Sequence, residues 1–188
     1  MRLQQAAFRR LYSSGQPVTA EQLAADLEIE VEQAETTIAA MLAQGRIRVG
    51  DGGEVVGAQG LSVTPDRHEM WVGDRRFWTW CAMDAAGILG ALGRSGCLRS
   101  RSPHSGAPLE VVFTDGRPEP TPAVVFIAEF SDCGSIYDEW CSQLNLFEDA
   151  AAATAWREAS AAAGSWVAIG ELAETAADRW RPTTAGLG

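Results

Sequence analysis

Trp78-Thr79-Trp80-Cys81-Ala82-Met83-Asp84 stands directly before a run of small and apolar residues, and the interpretation of the chain starts from this stretch. The run continues through Ile88 and Leu92 at helical spacing, which predicts a helix over about 76–92. Side chains three positions apart share one face of a helix, with Cβ atoms roughly 5–6 Å apart. Cys81 and Asp84 would then lie together on the buried face, where a carboxyl group has to be paired or protonated. A thiol beside such a group is a candidate chemical pair.

The charge of the chain excludes several classes of function. Its 188 residues carry a formal net charge of −10, and all 15 basic residues are arginines. The acidic balance argues against sequence-independent nucleic-acid binding, which depends on a basic patch. The absence of lysine excludes Schiff-base catalysis by a lysine side chain. The length is sufficient for one domain, or two small domains, with a real core.

Hydropathy and cysteine usage indicate a cytoplasmic protein. No run of about 18 apolar residues predicts a transmembrane helix, and the first residues lack the apolar core of a signal peptide. We therefore expect no membrane partner. In the cytoplasm the four cysteines would be reduced. None of them forms a CxxC pair, which argues against a structural zinc finger.

Residues 1–60 have the pattern of a winged-helix-like module. Three helices are predicted over 3–12, 20–27 and 31–44, and the second begins at the N-cap Thr19 with Gln22 three positions later. Two short apolar segments flank Gly50-Asp51-Gly52-Gly53 and predict a hairpin. The helix in the position of a recognition helix carries Glu32 and Glu35 and no basic residue. We therefore expect this module to pack against the rest of the chain and not to bind DNA.

The remainder of the chain predicts strands with flanking helices. The strand candidates are 61–63, 70–72, 109–113, 123–127, 139–147 and 166–169. The alanine-rich segment 150–163 and the segment 170–180 predict helices. We predict an α+β fold, in which the N-terminal three-helix module with its hairpin packs on a small mixed β-sheet domain over 61–181. A loose tail follows at 182–188.

Several motifs together resemble those of the alkylmercury lyases, also called organomercurial lyases. The run from Asp74 to Asp84 is similar to the family's catalytic segment, an aromatic-rich approach followed by Trp-Cys-Ala-Leu-Asp, with Met83 in place of the leucine. Ser105-Gly106-Ala107-Pro108 resembles the family's Thr-Gly-Ala-Pro, and Trp140-Cys141 resembles the aromatic-Cys pair that carries the second catalytic thiol. Residues 15–18 and 61–63 are similar to the family's N-terminal module and the strand after it. The resemblance covers about residues 15–175.

The resemblance implies an enzyme that cleaves carbon–mercury bonds by protonolysis and releases a hydrocarbon and Hg(II). Cys81 and Cys141 would be the two thiol ligands, because thiolate is the softest ligand that a protein offers to this soft metal. Asp84 would be the proton shuttle and would share transiently in holding the product Hg(II). The resemblance further implies no bound cofactor, exogenous thiols for turnover, an organomercurial substrate, mercuric reductase as acceptor of Hg(II), and a role in mercury resistance. The oligomeric state stays open.

Four positions depart from the family pattern. Many members carry cysteines where this chain has Ser102 and Ser142, and Cys97 and Cys133 have no obvious counterpart. These departures keep two alternatives open. One is a lyase of the same fold that acts on another organometal or on a biosynthetic substrate. The other is a winged-helix metal sensor or heavy-metal-binding protein that uses all four cysteines.

Overall fold

Three helices and a hairpin open the chain, as predicted. The computed structural model describes residues 2–130 and 134–187, so Cys133 lies outside the described residues. The first elements are α1 (Arg2–Ser14), α2 (Ala20–Leu27), α3 (Val31–Ala43), β1 (Ile47–Val49) and β2 (Val55–Ala58). None of the helices in the described part of the chain is long and apolar enough to cross a membrane.

Local signals explain the boundaries of the N-terminal helices. The Thr19 hydroxyl accepts from the Gln22 N–H, and the Gln22 side chain accepts from the Thr19 N–H, which is the capping box that the sequence predicts at the start of α2. Gly45, at a φ of +63°, turns the chain after α3 into β1. Glu32 and Glu35 are exposed on α3.

The hairpin continues into an eight-stranded sheet. Its further strands are β3 (Leu61–Ser62), β4 (His68–Val72), β5 (Arg75–Thr79), β6 (Gly96–Arg101), β7 (Pro108–Thr114) and β8 (Arg117–Pro118). The strand order is β1-β2-β3-β5-β4-β6-β7-β8, and every neighbouring pair is antiparallel. This corrects the expectation of a mixed sheet. Short turns join β4 to β5 and β7 to β8, and such turns connect only antiparallel neighbours, since a parallel pair needs a long crossover.

A second sheet of three antiparallel strands lies in the C-terminal half. Its strands are β9 (Val124–Ala128), β10 (Leu146–Phe147) and β11 (Gly164–Ala168), in the order β10-β9-β11. Helix α5 (Ala150–Ser160) follows β10, and α6 (Ile169–Thr184) follows β11. The α+β class is therefore confirmed, with helices between and after the strands of two antiparallel sheets.

The strand expected over 139–147 is limited to β10. Residues Ile136–Trp140 form a π-helical turn, and Cys141–Gln143 form a 3₁₀ turn. Serine side chains stabilise these turns: the Ser142 hydroxyl donates to the Asp138 carbonyl at 2.6 Å, and the Ser135 hydroxyl accepts from the Asp138 N–H at 3.2 Å. Such local bonds compete with a strand ladder. These hydrogen bonds explain why residues 136–143 form turns, whereas the apolar residues alone predicted a strand.

The helix expected over 76–92 is shorter than predicted. Residues 75–79 form strand β5, and α4 (Ala82–Leu92) begins only after Cys81, which has extended dihedral angles of −148° and 167°. In β5, Phe77 and Thr79 are buried while Arg76 is exposed. This alternation has the period of a strand. Cys81 is therefore the N-cap of the helix and not a residue on its face.

Helix α4 is buried because it packs between the sheet and α6. Every side chain from 82 to 89 is buried. Small residues allow the close approach: a Cβ atom added at Gly87 would lie 2.2 Å from the Trp180 ring, and one at Gly90 would lie 2.6 Å from the Ala173 carbonyl oxygen. The same packing extends α6 to Thr184, where the segment 182–188 had been expected to be loose.

Candidate active site

Two thiols and one carboxyl group meet in the interior of the protein. The sulfur atoms of Cys81 and Cys141 and a carboxylate oxygen of Asp84 lie within 4.8 Å of one another. The three residues are 0%, 3% and 5% exposed, respectively. The structure thus brings together all three residues that the sequence selected. Within the described ranges they form the one group of cysteine, histidine and acidic residues close enough to share a metal ion.

Cys81 and Asp84 are neighbours because of helix capping. The Cys81 sulfur accepts a hydrogen bond from the Asp84 N–H at 3.3 Å, as a capping side chain does at the start of a helix. The Thr79 hydroxyl donates to the Cys81 carbonyl at 3.1 Å and holds the turn between β5 and α4. The N–H of Ala82 donates to the Leu144 carbonyl at 3.0 Å. That bond ties the start of α4 to the segment that carries Cys141.

Cys141 is presented by the two turns over 136–143, which we call the thiol segment. The Trp140 indole N–H donates to the Ala128 carbonyl at 3.1 Å, which fixes the segment to β9. The Ile136 N–H donates to the Gln44 carbonyl at 3.0 Å, which fixes it to the N-terminal module. The N-terminal module therefore helps to position the second thiol, a role that its own sequence did not reveal.

Tyr137 anchors the thiol segment to the large sheet. Its hydroxyl donates to the buried carboxylate of Asp66 at 3.1 Å, and its ring meets the Trp80 ring edge-on with centroids 5.5 Å apart. The guanidinium groups of Arg48 and Arg67 lie 4.7 Å and 4.2 Å from the Tyr137 ring centroid. Cation–π contacts of this kind contribute about 0.5–2 kcal/mol each. No pattern in the sequence indicated this cluster, since its members come from four separate parts of the chain.

A cavity of about 340 Å³ leads to the thiols and the carboxyl group. Its walls combine aromatic and aliphatic side chains with polar and charged ones in about equal measure. The lining residues are Gln4, Arg46, Gln59, Gly60, Trp80, Asp84, Phe130, Ile136, Trp140, Cys141, Arg179 and Trp180. A concave cavity that joins apolar surface to convergent polar groups is suited to bind a small molecule.

Gly60 permits the close approach of the backbone to Asp84. Its φ is +84°, and a Cβ atom built at this position would lie 2.2 Å from the Asp84 Cγ. The Gly60 carbonyl accepts from the Trp80 N–H at 3.0 Å, and the Gln59 carbonyl accepts from the Trp180 indole at 2.9 Å. A glycine is therefore required by both the dihedral angle and the space. Sequence reasoning did not identify this position.

Burial controls the protonation of the pair on α4. It raises the pKa of Asp84 to about 6, although the Cys81 thiol and the charge of Arg179 act in the opposite direction. Burial, the adjacent Cys141 thiol and the Asp84 charge raise the pKa of Cys81 well above its ordinary value. The Oδ2 atom of Asp84 has no hydrogen-bond partner among the described residues. The pair can therefore hold a proton and pass it on.

The other polar positions singled out from the sequence have structural roles or lie elsewhere. Cys97 lies on β6 between Trp71 and Val112, and it does not join the thiol and carboxyl cluster. The buried Ser102 hydroxyl accepts from the N–H groups of His104 and Ser105 at 3.3 Å each, so it closes the turn before β7. Ser102 and the hydrogen-bonded Ser142 thus stabilise turns.

His68 is a buried residue of the large sheet. It begins β4 and is only 2% exposed, with Nδ1 2.7 Å from the Ser100 hydroxyl. Its Nε2 has no hydrogen-bond partner among the described residues. Burial and the charge of Arg67 lower the pKa of His68 to about 3. The side chain is therefore a neutral core residue outside the cavity lining.

Three comparisons relate this chain to known proteins. A family model described as alkylmercury lyase matches residues 61–181. The alkylmercury lyase of Streptomyces lividans is 28% identical over 152 residues, which are 79% of this chain and 69% of that protein. A crystal structure of the mercury-bound form of MerB2 superimposes with a TM-score of 0.82 over 92% of this chain and 85% of the other. At 22% identity, that superposition establishes the shared fold.

Proposed function

Because this chain belongs to the alkylmercury lyase family, an enzyme family that cleaves carbon–mercury bonds, we propose that Cys81, Cys141 and Asp84 carry out the cleavage. The single observation that supports this assignment is the buried cluster in which two sulfur atoms and one carboxylate oxygen lie within 4.8 Å. Two thiolates are the ligands that compete best with carbon for a soft metal. A carboxyl group of raised pKa is suited to supply the proton that carbon requires.

The first step is transfer of mercury from its exchangeable ligand to sulfur. Cys141 lines the cavity, whereas Cys81 lies behind it and is fully buried. A thiol must lose its proton to bind a metal, and mercury binding therefore releases protons. One of these protons leaves with the displaced ligand of the substrate. The other passes from the Cys81 thiol to the adjacent Asp84 carboxylate.

The second step is protonation of carbon. The Asp84 carboxylic acid gives its proton to the carbon atom as the carbon–mercury bond breaks, and its oxygen becomes a carboxylate again. The electron pair of the broken bond forms the new carbon–hydrogen bond. Hg(II) remains on the two sulfur atoms, with an Asp84 oxygen as a transient third ligand. Trp80 and Trp140 form an apolar part of the walls that excludes water and accommodates the organic group.

Turnover requires removal of Hg(II) from two protein thiolates. Small thiols in solution can displace them by ligand exchange, and mercuric reductase is a suitable final acceptor. Since both cysteines have to be reduced, we assign the reaction to the cytoplasm and to resistance against organomercurials. Cys81 and Cys141 are both free thiols, in agreement with this requirement.

The test is hydrocarbon release from phenylmercury in the presence of excess thiol. We expect benzene from the wild-type protein and about 10²–10⁴-fold less from Asp84→Asn. Mass spectrometry should show that Asp84→Asn still binds the organomercurial through its thiols. Cys97→Ser is the matched control, because Cys97 lies outside the cluster, and it should keep the wild-type rate. Full turnover by Asp84→Asn would refute the proton transfer proposed for this carboxyl group.

A further inference from the structure

The cavity that leads to the reactive cluster has an unusual charge for this protein. The chain is acidic, with a net charge of −10. Among the described residues, the charged side chains that line the cavity are nevertheless Asp84 at its buried end and two exposed arginines, Arg46 and Arg179. The outer part of the cavity is therefore positive although the protein as a whole is negative.

Neither arginine is neutralised by a carboxylate in the described part of the chain. The ion pairs there involve other arginines, at positions 10, 48, 76, 99 and 181. Arg46 lies between α3 and β1, where its carbonyl accepts from the Gln4 side chain at 2.6 Å. Arg179 lies on α6 with its guanidinium 5.5 Å from the ring centroid of Trp180. Two arginines without a carboxylate partner thus line the cavity from two separate parts of the chain.

The size of the cavity leaves room for more than a phenyl ring. Its volume is about 340 Å³, whereas a cavity of about 150 Å³ already holds benzene. With mercury at the buried thiols, an aromatic group of the substrate would extend through the cavity toward its exposed end, where the arginines lie. A guanidinium group is the side chain best suited to bind a carboxylate, since it offers parallel N–H donors.

We propose that Arg46 and Arg179 select organomercurials that carry an anionic substituent, such as a carboxylate on an arylmercury, over neutral compounds of similar size. This inference rests on the function proposed above for the same cavity. Exposed charges contribute modestly to binding, so the expected preference is about 3–10-fold in kcat/KM. The preference should decrease as salt screens the arginines.

A structural role for Arg179 has to be distinguished from contact with the substrate. Its positive charge also acts on Asp84, so its removal changes proton transfer for every substrate. The ratio of kcat/KM for two substrates cancels that common effect. The ratio also cancels the difference in intrinsic reactivity between the substrates when the wild-type protein and its variants are compared.

The experiment compares 4-carboxyphenylmercury with phenylmercury in the wild-type protein, Arg46→Gln, Arg179→Gln and the double variant. Arg94→Gln is the control. Arg94 is exposed and follows the C-terminal end of α4, whereas Cys81 lies at the N-terminal end of that helix. We expect the ratio of the two kcat/KM values to fall about 3–10-fold in the double variant and to stay constant in the control. Arg179→Lys keeps the positive charge and should retain most of the wild-type ratio.

An unchanged ratio in the double variant would overturn the inference while leaving the carbon–mercury lyase function intact. A wild-type ratio that does not respond to salt would overturn it as well. Failure of the proposed chemistry gives a different result, since the wild-type protein would then release neither benzene nor benzoate from the two substrates.

Discussion

The buried histidine of β4 should make the protein less stable as the pH falls. His68 is 2% exposed, and burial together with the charge of Arg67 lowers its pKa to about 3. In the unfolded chain a histidine titrates at about 6.5. Between these two values the unfolded chain binds a proton that the folded protein does not. The free energy of unfolding therefore decreases with falling pH in this window and reaches its plateau above it.

The size of this loss in the free energy of unfolding follows from the difference between the two pKa values of His68. Each pH unit contributes about 1.4 kcal/mol while only the unfolded state is protonated. Between about pH 6.5 and pH 5, the loss from His68 alone is about 2 kcal/mol. Burial raises the pKa of Asp84 to about 6, which contributes with the opposite sign over the same range. A comparison of two proteins that both keep Asp84 isolates the histidine.

The perturbation is His68→Asn, whose amide can replace Nδ1 in the contact with the Ser100 hydroxyl. Urea unfolding followed by tryptophan fluorescence measures the free energy of unfolding at each pH, and the chain has seven tryptophans. Between about pH 6.5 and pH 5, the wild-type protein should lose about 2 kcal/mol more than the variant. The control is His104→Asn in an exposed turn, which should keep the wild-type slope.

Equal slopes for the wild-type protein and His68→Asn would refute this reasoning. They would mean that His68 keeps its proton after folding, and so that the side chain is hydrated or paired with an acceptor. A steeper slope in the variant would contradict even the sign of the effect.

Two further predictions concern the geometry of the site. Gly60→Ala should reduce kcat at least roughly tenfold, because the new Cβ would lie 2.2 Å from the Asp84 Cγ and a misplaced reactive group is costly. Gly73→Ala is the control: its φ is also positive at +60°, but no atom lies within 4 Å of the new Cβ, so only a stability loss of about 1 kcal/mol is expected. Tyr137→Phe should lower the free energy of unfolding by about 1 kcal/mol and speed alkylation of Cys141, since the hydroxyl bond to Asp66 is lost. Wild-type kcat in Gly60→Ala, or unchanged alkylation in Tyr137→Phe, would contradict these accounts.

Local chemistry explains which parts of the fold were predictable. The N-terminal helices follow from apolar spacing and from the Thr19 and Gln22 capping box, whose contacts span three residues. The start of α4 was misplaced because the aromatic residues of β5 fit both a helix and a strand when read alone. Pairing with β4 makes residues 75–79 a strand, and Cys81 is therefore the N-cap of α4.

The sequence by itself determined the chemistry of one half of the site. Cys81 and Asp84 are three residues apart, and a cap at that spacing brings sulfur and backbone together whatever surrounds them. The second thiol could be named only from the resemblance to a family, because it is far away in the chain and its segment has no regular pattern.

Only the tertiary structure decided how close the second thiol comes and what surrounds the cluster. Cys141 reaches the pair through anchors on β9, the N-terminal module and Asp66. The Gly60 turn and the two arginines reach the cavity from other parts of the chain. The physical reason is burial: it raises the pKa of Asp84 and of Cys81, and burial depends on contacts between residues that are distant in sequence.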